Sequence, residues 1–269
     1  MEINRNITVA VAGAKGRMGQ EVVKMLQDDP TLTFVVGIDP KIAGQDVGEV
    51  IGGKPLGVPM MNSLEEALRT YKPDVLVDFT TPHHVYDNIR TSLAHGVRPV
   101  VGTTGLSPEQ LAELTELSTQ SKIGVIIAPN FAIGAILCMK FASMAAKYMP
   151  HVEIIELHHD RKLDAPSGTA IKTAEMIAET RKELKQGHPD EEEIFEGARG
   201  ADYHGFRIHS VRLPGMVAHQ EVLFGATGQT LSIRHDSINR ESFMPGVQMA
   251  IKAVVNLDTL VYGLEHIID

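Results

Sequence analysis

The stretch "ITVAVAGAKGRMG", Ile7–Gly19, decides the fold. Its first six residues, Ile7–Ala12, are a run of β-branched and small apolar residues that predicts a buried strand. Gly13, Gly16 and Gly19 follow at once in a G-x-x-G-x-x-G spacing. Gly13 permits a tight turn, Gly16 lets the backbone approach a pyrophosphate, and Gly19 lets the next helix pack close to the strand. The amides that open this helix then face the anion. Strand–helix turns use glycine in any case, so the context decides. A strand precedes the loop, a helix follows, and Asp39 ends the next apolar run, "FVVGID" (34–39), 20 residues beyond Gly19. A carboxylate there accepts hydrogen bonds from an adenosine ribose. Asp39 suits the free 2′-hydroxyl of NADH and repels the 2′-phosphate of NADPH. Lys41 and Arg17 offset that repulsion, so either cofactor fits the pattern.

The same alternation runs outward from this stretch. Apolar runs at "VLVDFT" (75–80), "PVVGTT" (99–104) and "GVIIAPN" (124–130) are separated by helix-like segments such as "SLEEALRT" and "SPEQLAELTELSTQS". Continuous apolar strands between amphipathic helices predict a parallel sheet covered on both faces. Ser107 and Pro108 form a good helix opening. Two strand ends, "GTTG" (102–105) and "APNF" (128–131), carry small or amide residues at the edge where open α/β sheets bind ligands. Ordinary turn chemistry accounts for them equally well. His83 and His84 are read as the start of an exposed helix beside that edge.

Past residue 130 the rhythm changes. A long apolar helix, "AIGAILCMKFASMAAKYM", precedes a strand, "VEIIEL", and a second helix, "GTAIKTAEMIAETRKELK". The acidic "HPDEEEIFEG" reads as an exposed loop, and "FRIHSVRL", "HQEVLFGA" and "QTLSIRHDSI" as sequential strands of an open mixed or antiparallel sheet. The last segment, "FMPGVQMAIKAVVNLDTLVYGLEHII", is helical in pattern. The formal charge of −9 argues against nucleic acid or an anionic membrane as a partner. The only cysteine, Cys138, lies in the apolar helix and is read as a small buried hydrophobe. No signal peptide and no apolar run of about 18 residues is present, which points to the cytoplasm.

The densest chemistry lies in "EIIELHHDRKLDAPSGTA", Glu153–Ala170. A strand delivers His158 and His159, which meet one ligand only where the strand ends or bulges, because neighbouring strand residues face opposite ways. Lys162 follows, and "DAPSGTA" opens a helix with Asp164 or Ser167 as cap and Pro166 in the first turn. The amides of Ser167, Gly168 and Thr169 would then be unpaired donors at a positive dipole end, which suits a carboxylate. Histidine supplies a proton near neutral pH, and a lysine does so once its pKa is lowered. From the residues alone the cluster is an anionic-substrate site with acid catalysis, a capped helix start, or a metal site without a third ligand at convincing spacing.

The cluster resembles the dihydrodipicolinate reductase family of lysine biosynthesis. The family pattern E-[IV]-x-E-x-H-x-x-x-K-x-D-x-P-S-G-T-A is filled here by Glu153, Ile154, Glu156, His158, Lys162, Asp164, Pro166, Ser167, Gly168, Thr169 and Ala170. The resemblance also takes in "VAGAKGRMG", "VDFTTP", "GTTG" and "APNF". It implies a Rossmann dinucleotide-binding domain, residues 1–130 and 241–269, and an α+β substrate and tetramerisation domain with a mixed open sheet, residues 131–240. It implies His158 as proton donor and Lys162 as second donor or carboxylate partner. His159 would bind substrate, and Ser167, Gly168 and Thr169 would grip its carboxylate. The cofactor stretch maps to Gly13, Ala14, Lys15, Gly16, Arg17 and Met18, with Asp39 and Lys41. It continues through Gly102, Thr103 and Thr104, then Ala128, Pro129, Asn130 and Phe131. The implied reaction is NAD(P)H-dependent reduction of a cyclic dicarboxylate, 4-hydroxy-tetrahydrodipicolinate, by a homotetramer.

Overall fold

The computed structural model describes residues 6–268. In chain order the first elements are β1 (Ile7–Ala12), α1 (Arg17–Asp28), β2 (Leu32–Ile38), α2 (Val47–Val50), β3 (Met60–Met61), α3 (Leu64–Tyr71) and β4 (Val75–Asp78). Then come α4 (Val85–Ala94), β5 (Arg98–Val101), α5 (Pro108–Ser121), β6 (Val125–Ile127), α6 (Ile133–Ala146), β7 (His151–His158) and α7 (Gly168–Thr180). The chain finishes with β8 (Ala201–Tyr203), β9 (Phe206–Arg212), β10 (Ala218–Ala226), β11 (Gln229–Ser237), α8 (Met244–Val254) and β12 (Leu260–Tyr262). These elements form two compact units, Met1–Phe131 with Phe243–Asp269, and Ala132–Ser242.

The first unit is a seven-stranded sheet in the order β12-β6-β5-β4-β1-β2-β3, with every pairing parallel. Its central strands read as unbroken apolar runs because both faces are covered: all four residues of β4 are buried. Ala10, Leu76, Val101 and Ile127 belong to cores built with α3, α4 and α5 on one face. On the other, α1 and α8 pack together against the strands. From β1 the chain winds outward to β2 on one side and later to β4 on the other. The order therefore reverses between β1 and β4, where such sheets open a ligand crevice at their carboxyl ends.

The chain's tail departs from the expectation of a continuous helix. α8 stops at Val254, and Leu260–Tyr262 forms β12, pairing in parallel with β6. "LVY" is too short for a period to distinguish strand from helix, and the free edge of β6 decides it. The helix expected to run on through "RKELK" ends at Thr180. Arg181 turns out of it to donate to the carbonyls of Pro150, His204 and Leu184, three acceptors that a straight helix would abandon.

The second unit is a five-stranded mixed sheet, β11-β10-β7-β9-β8, antiparallel except for β7–β9. Val152, Ile154, Phe206, Ile208, Val222 and Phe224 form its core with residues of α6 and α7, including buried Cys138. Alternation along β7 puts Glu156 and His158 on this same helix-facing side. Register makes the consequence explicit. The apolar row Ile208–Ile154–Val222–Ile233 is followed by a polar row, Ser210–Glu156–Gln220–His235. Beyond it lies Arg212–His158–Ala218–Ser237 at the carboxyl end of β7. The hydrophobic core of this unit thus gives way, over two rows, to a polar rim.

Candidate active site

In the first unit, Gly13 has φ +77°, and a Cβ there would lie 2.5 Å from the Phe79 carbonyl oxygen. A Cβ on Gly19 would meet the Gly13 oxygen at 2.1 Å, so only glycine lets α1 start so close to β1. Gly16 is the N-cap of α1 and offers no side chain to its amides, and the first turn carries no acid. The helix opening therefore has its donors and dipole available to an anion. A cavity of about 620 Å³ opens here, bordered by Gly13, Gly16, Asp39, Lys41, Thr80 and His84. Its size is that of a small-molecule site. One Asp39 oxygen accepts from the Lys41 amide at 3.0 Å. Ala14 is buried, whereas Lys15 and Arg17 are exposed and Met18 half-buried. These residues fit a dinucleotide.

Asp78 was given no role by the sequence, yet it organises this edge. It is fully buried at the end of β4 and accepts from the Thr80 amide (2.9 Å) and hydroxyl (2.7 Å), Asn88 (2.7 Å) and Thr103 (3.0 Å). One carboxylate thereby ties together the loops after β4 and β5 and the start of α4. Gly102 has a packing reason for its small size. A Cβ there would lie 2.1 Å from the Phe79 ring, so it makes room for that ring. Phe79 in turn packs on Phe131, centroid to centroid 6.0 Å. Thr104 is exposed, Ala128 is buried, and Pro129 and Asn130 lie at the surface end of β6.

In the second unit, β7 ends at His158, so His159 falls outside the strand and is exposed. Glu156 is the centre of the site. Its side chain is 0% exposed. It takes a hydrogen bond from His158 Nδ1 at 2.5 Å, two from Arg212 at 2.7 and 2.9 Å, and one from the Ser167 amide at 3.2 Å. Burial pushes the Glu156 carboxyl up, but hydrogen bonds from His158, Arg212 and Ser210 outweigh it and hold the pKa at about 2. Arg212 also donates to the Asp164 carbonyl at 2.7 Å, which fastens the loop carrying Lys162. Lys162 pairs with the Asp164 carboxylate at 2.7 and 2.8 Å. The lysine is therefore matched with a neighbouring acid.

Ser167 caps α7, its hydroxyl accepting from the Ala170 amide at 3.2 Å. Asp164 does not cap, and Pro166 lies before the cap instead of in the first turn. The Ser167 amide is held by Glu156, which removes it from the expected set of open donors. The Gly168 amide has no hydrogen-bond partner among the described residues, and Gly168 is exposed. Thr169 lies beside it, half-buried. Of Glu156 and Arg212, only Glu156 was legible. Glu156 stands two residues before His158, hence on the same strand face, whereas Arg212 is 54 positions beyond His158 and only strand pairing brings it there.

Among the described residues no group of three or more His, Cys, Asp or Glu side chains is placed to hold a metal, and no helix is long and apolar enough to cross a membrane.

Comparison with known proteins gives a consistent picture. Residues 7–131 match the family model described as "Dihydrodipicolinate reductase, N-terminus", and residues 134–268 match "Dihydrodipicolinate reductase, C-terminus". A 4-hydroxy-tetrahydrodipicolinate reductase from Halalkalibacterium halodurans is 60% identical over 98% of this chain and 100% of its own. One from Listeria monocytogenes serotype 4b is 59% identical over 97% of this chain and 99% of its own. The solved structure of a dipicolinate-bound dihydrodipicolinate reductase from Paenisporosarcina sp. TG-14 superposes with a TM-score of 0.88 at 52% identity, covering 98% of this chain and 100% of that one. The chain belongs to the dihydrodipicolinate reductase family.

Proposed function

We propose that this chain catalyses the NAD(P)H-dependent reduction of 4-hydroxy-tetrahydrodipicolinate to tetrahydrodipicolinate, with His158 as the proton donor. The observation that carries the reading is the join in the second unit between an acid–base group and an anion receptor. His158 ends β7, and the open amide of Gly168 begins α7 only ten residues later. The substrate is a dicarboxylate, as is the dipicolinate bound to the Paenisporosarcina relative. The amino end of α7, with Gly168 and Thr169, receives one carboxylate, because helix amides and the dipole favour negative charge there. Ser167 contributes as the cap that shapes this end. His159, exposed beside it, binds the substrate, and Lys162 exchanges its Asp164 partner for a substrate carboxylate or donates a second proton.

The glycine loop, Asp39 and the strand ends after β5 and β6 hold the dinucleotide in the first unit. When bound, NADH or NADPH supplies the hydride. Loss of the 4-hydroxyl as water leaves a conjugated double bond. The hydride adds to one of its carbons and His158 supplies the proton to the neighbouring carbon, so the net change is gain of hydride and proton and loss of water. Asp39 with one oxygen free of the Lys41 amide favours a ribose diol, while Lys41 and Arg17 accommodate a phosphate. Both cofactors are therefore expected to serve.

A second element of the proposal concerns assembly. On the sheet face opposite α6 and α7, half-buried Ile155, Leu157 and Val211 and exposed Leu223 lie among ion pairs such as Glu221–Arg234. An apolar strip on an uncovered sheet fits further copies of the chain, as in a homotetramer.

The direct test supplies purified protein with NADH or NADPH and with substrate made fresh from aspartate semialdehyde and pyruvate. Loss of nicotinamide absorbance is expected with either cofactor. Folded, cofactor-binding protein that leaves the absorbance unchanged would rule the activity out.

A further inference from the structure

We propose that Glu156, braced by Arg212, is a positioning residue that fixes the tautomer and the ring orientation of His158. This inference rests on the assignment of His158 as proton donor and goes beyond it.

The geometry leaves His158 little freedom. Glu156 is ionised across the whole physiological range, since its pKa is held at about 2, so it only accepts hydrogen bonds. The 2.5 Å contact to Nδ1 therefore requires a proton on that nitrogen. A neutral His158 then carries its lone pair on Nε2, and the charged form carries the transferable proton there. Without Glu156 the ring is free to place its proton on either nitrogen and to turn about χ2.

Arg212 explains why a buried carboxylate serves here without being neutralised. Its two terminal nitrogens grip both Glu156 oxygens, the bidentate geometry that resists rotation of the carboxylate. Arg212 pairs in register with His158 across β7 and β9, so the brace is built into the sheet. The Ser167 amide adds a fourth contact and links the same carboxylate to the start of α7. One buried group thus aligns the proton donor with the helix end that receives the substrate carboxylate. The charged groups beside His158 are Glu156 on its own strand and Arg212, its register partner on β9. The amino end of α7 and Ala218 of β10 contribute no charged side chain.

The test is nitrogen-15 NMR of the histidine rings in full-length protein, together with steady-state kcat and KM. Wild-type protein is expected to show His158 with its neutral-form proton on Nδ1. Glu156→Gln is expected to mix the tautomers, because the amide can either donate to Nδ1 or accept from it. It is expected to reduce kcat about 10- to 100-fold while leaving the dissociation constant of NADH unchanged. Arg212→Lys, which keeps the charge and loses the bidentate grip, serves as a milder variant if Glu156→Gln fails to fold. It is expected to give a smaller effect in the same direction. A wild-type His158 protonated on Nε2 in its neutral form would overturn the proposal. So would a single Nδ1-protonated tautomer and an unchanged kcat in both variants. If instead His158→Gln keeps normal turnover, the proton-donor assignment fails while the NMR result stands by itself, so the two failures are distinguishable.

Discussion

Glu156 shows how much a single buried side chain decides. Its pKa lies near 2 against an ordinary 4.5, so the folded state holds the ionised form more tightly than the unfolded chain does. The sign follows by linkage: the contribution to stability is complete above about pH 4.5 and disappears as the pH falls towards about 2. Acid denaturation of the wild type should therefore steepen across that window, and Glu156→Gln should flatten it. Equilibrium urea unfolding at a series of pH values measures this slope, and equal slopes in the two proteins would contradict the geometry. At this scale the sequence was informative where spacing is local. Gly13, Gly16 and Gly19, and the pairing of His158 with the opening of α7, could be read directly. Asp78 and Arg212 were not, because their partners are brought together by strand pairing and not by spacing along the chain.

Among the elements, α7 couples stability to the site. Ser167 supplies its cap, and Ser167→Ala removes the bond to the Ala170 amide. The expected loss is about 1 kcal/mol, read from chemical denaturation. Because the alanine variant keeps the backbone amides of Gly168 and Thr169, the KM for substrate should rise more than kcat falls. A variant as stable as the wild type would show that the cap does not hold the helix end. The alternating strand and helix signals of the first half were sufficient to anticipate a parallel sheet, since each strand there is buried on both sides and each helix has one apolar face. Short edge elements were not legible. β3 has two residues and β12 three, and both exist because a neighbouring strand offers an unpaired edge.

For the molecule as a whole, the sequence indicated an α/β chain with a parallel dinucleotide-type sheet and a second, mixed sheet, and both are present. The parallel pairing of β7 with β9 inside an otherwise antiparallel sheet was beyond local pattern, because it depends on the long excursion through α7 and the acidic loop. The uncovered face of that sheet carries the assembly prediction. Light scattering should give the mass of four chains, and Leu223→Asp should lower it by placing a charge in the apolar strip. A monomer in the wild type, or an unchanged mass in the variant, would count against that face as the interface.

In the proposed reaction a hydride from the dinucleotide is matched by a proton from His158, with the substrate held by Lys162 and the start of α7. Steady-state turnover of His158→Gln and Lys162→Ala, measured beside their affinity for NADH, tests it most directly. kcat is expected to fall by about 10²- to 10⁴-fold in His158→Gln and substantially in Lys162→Ala, with NADH binding as tight as in the wild type. Near-normal turnover in both variants would contradict it.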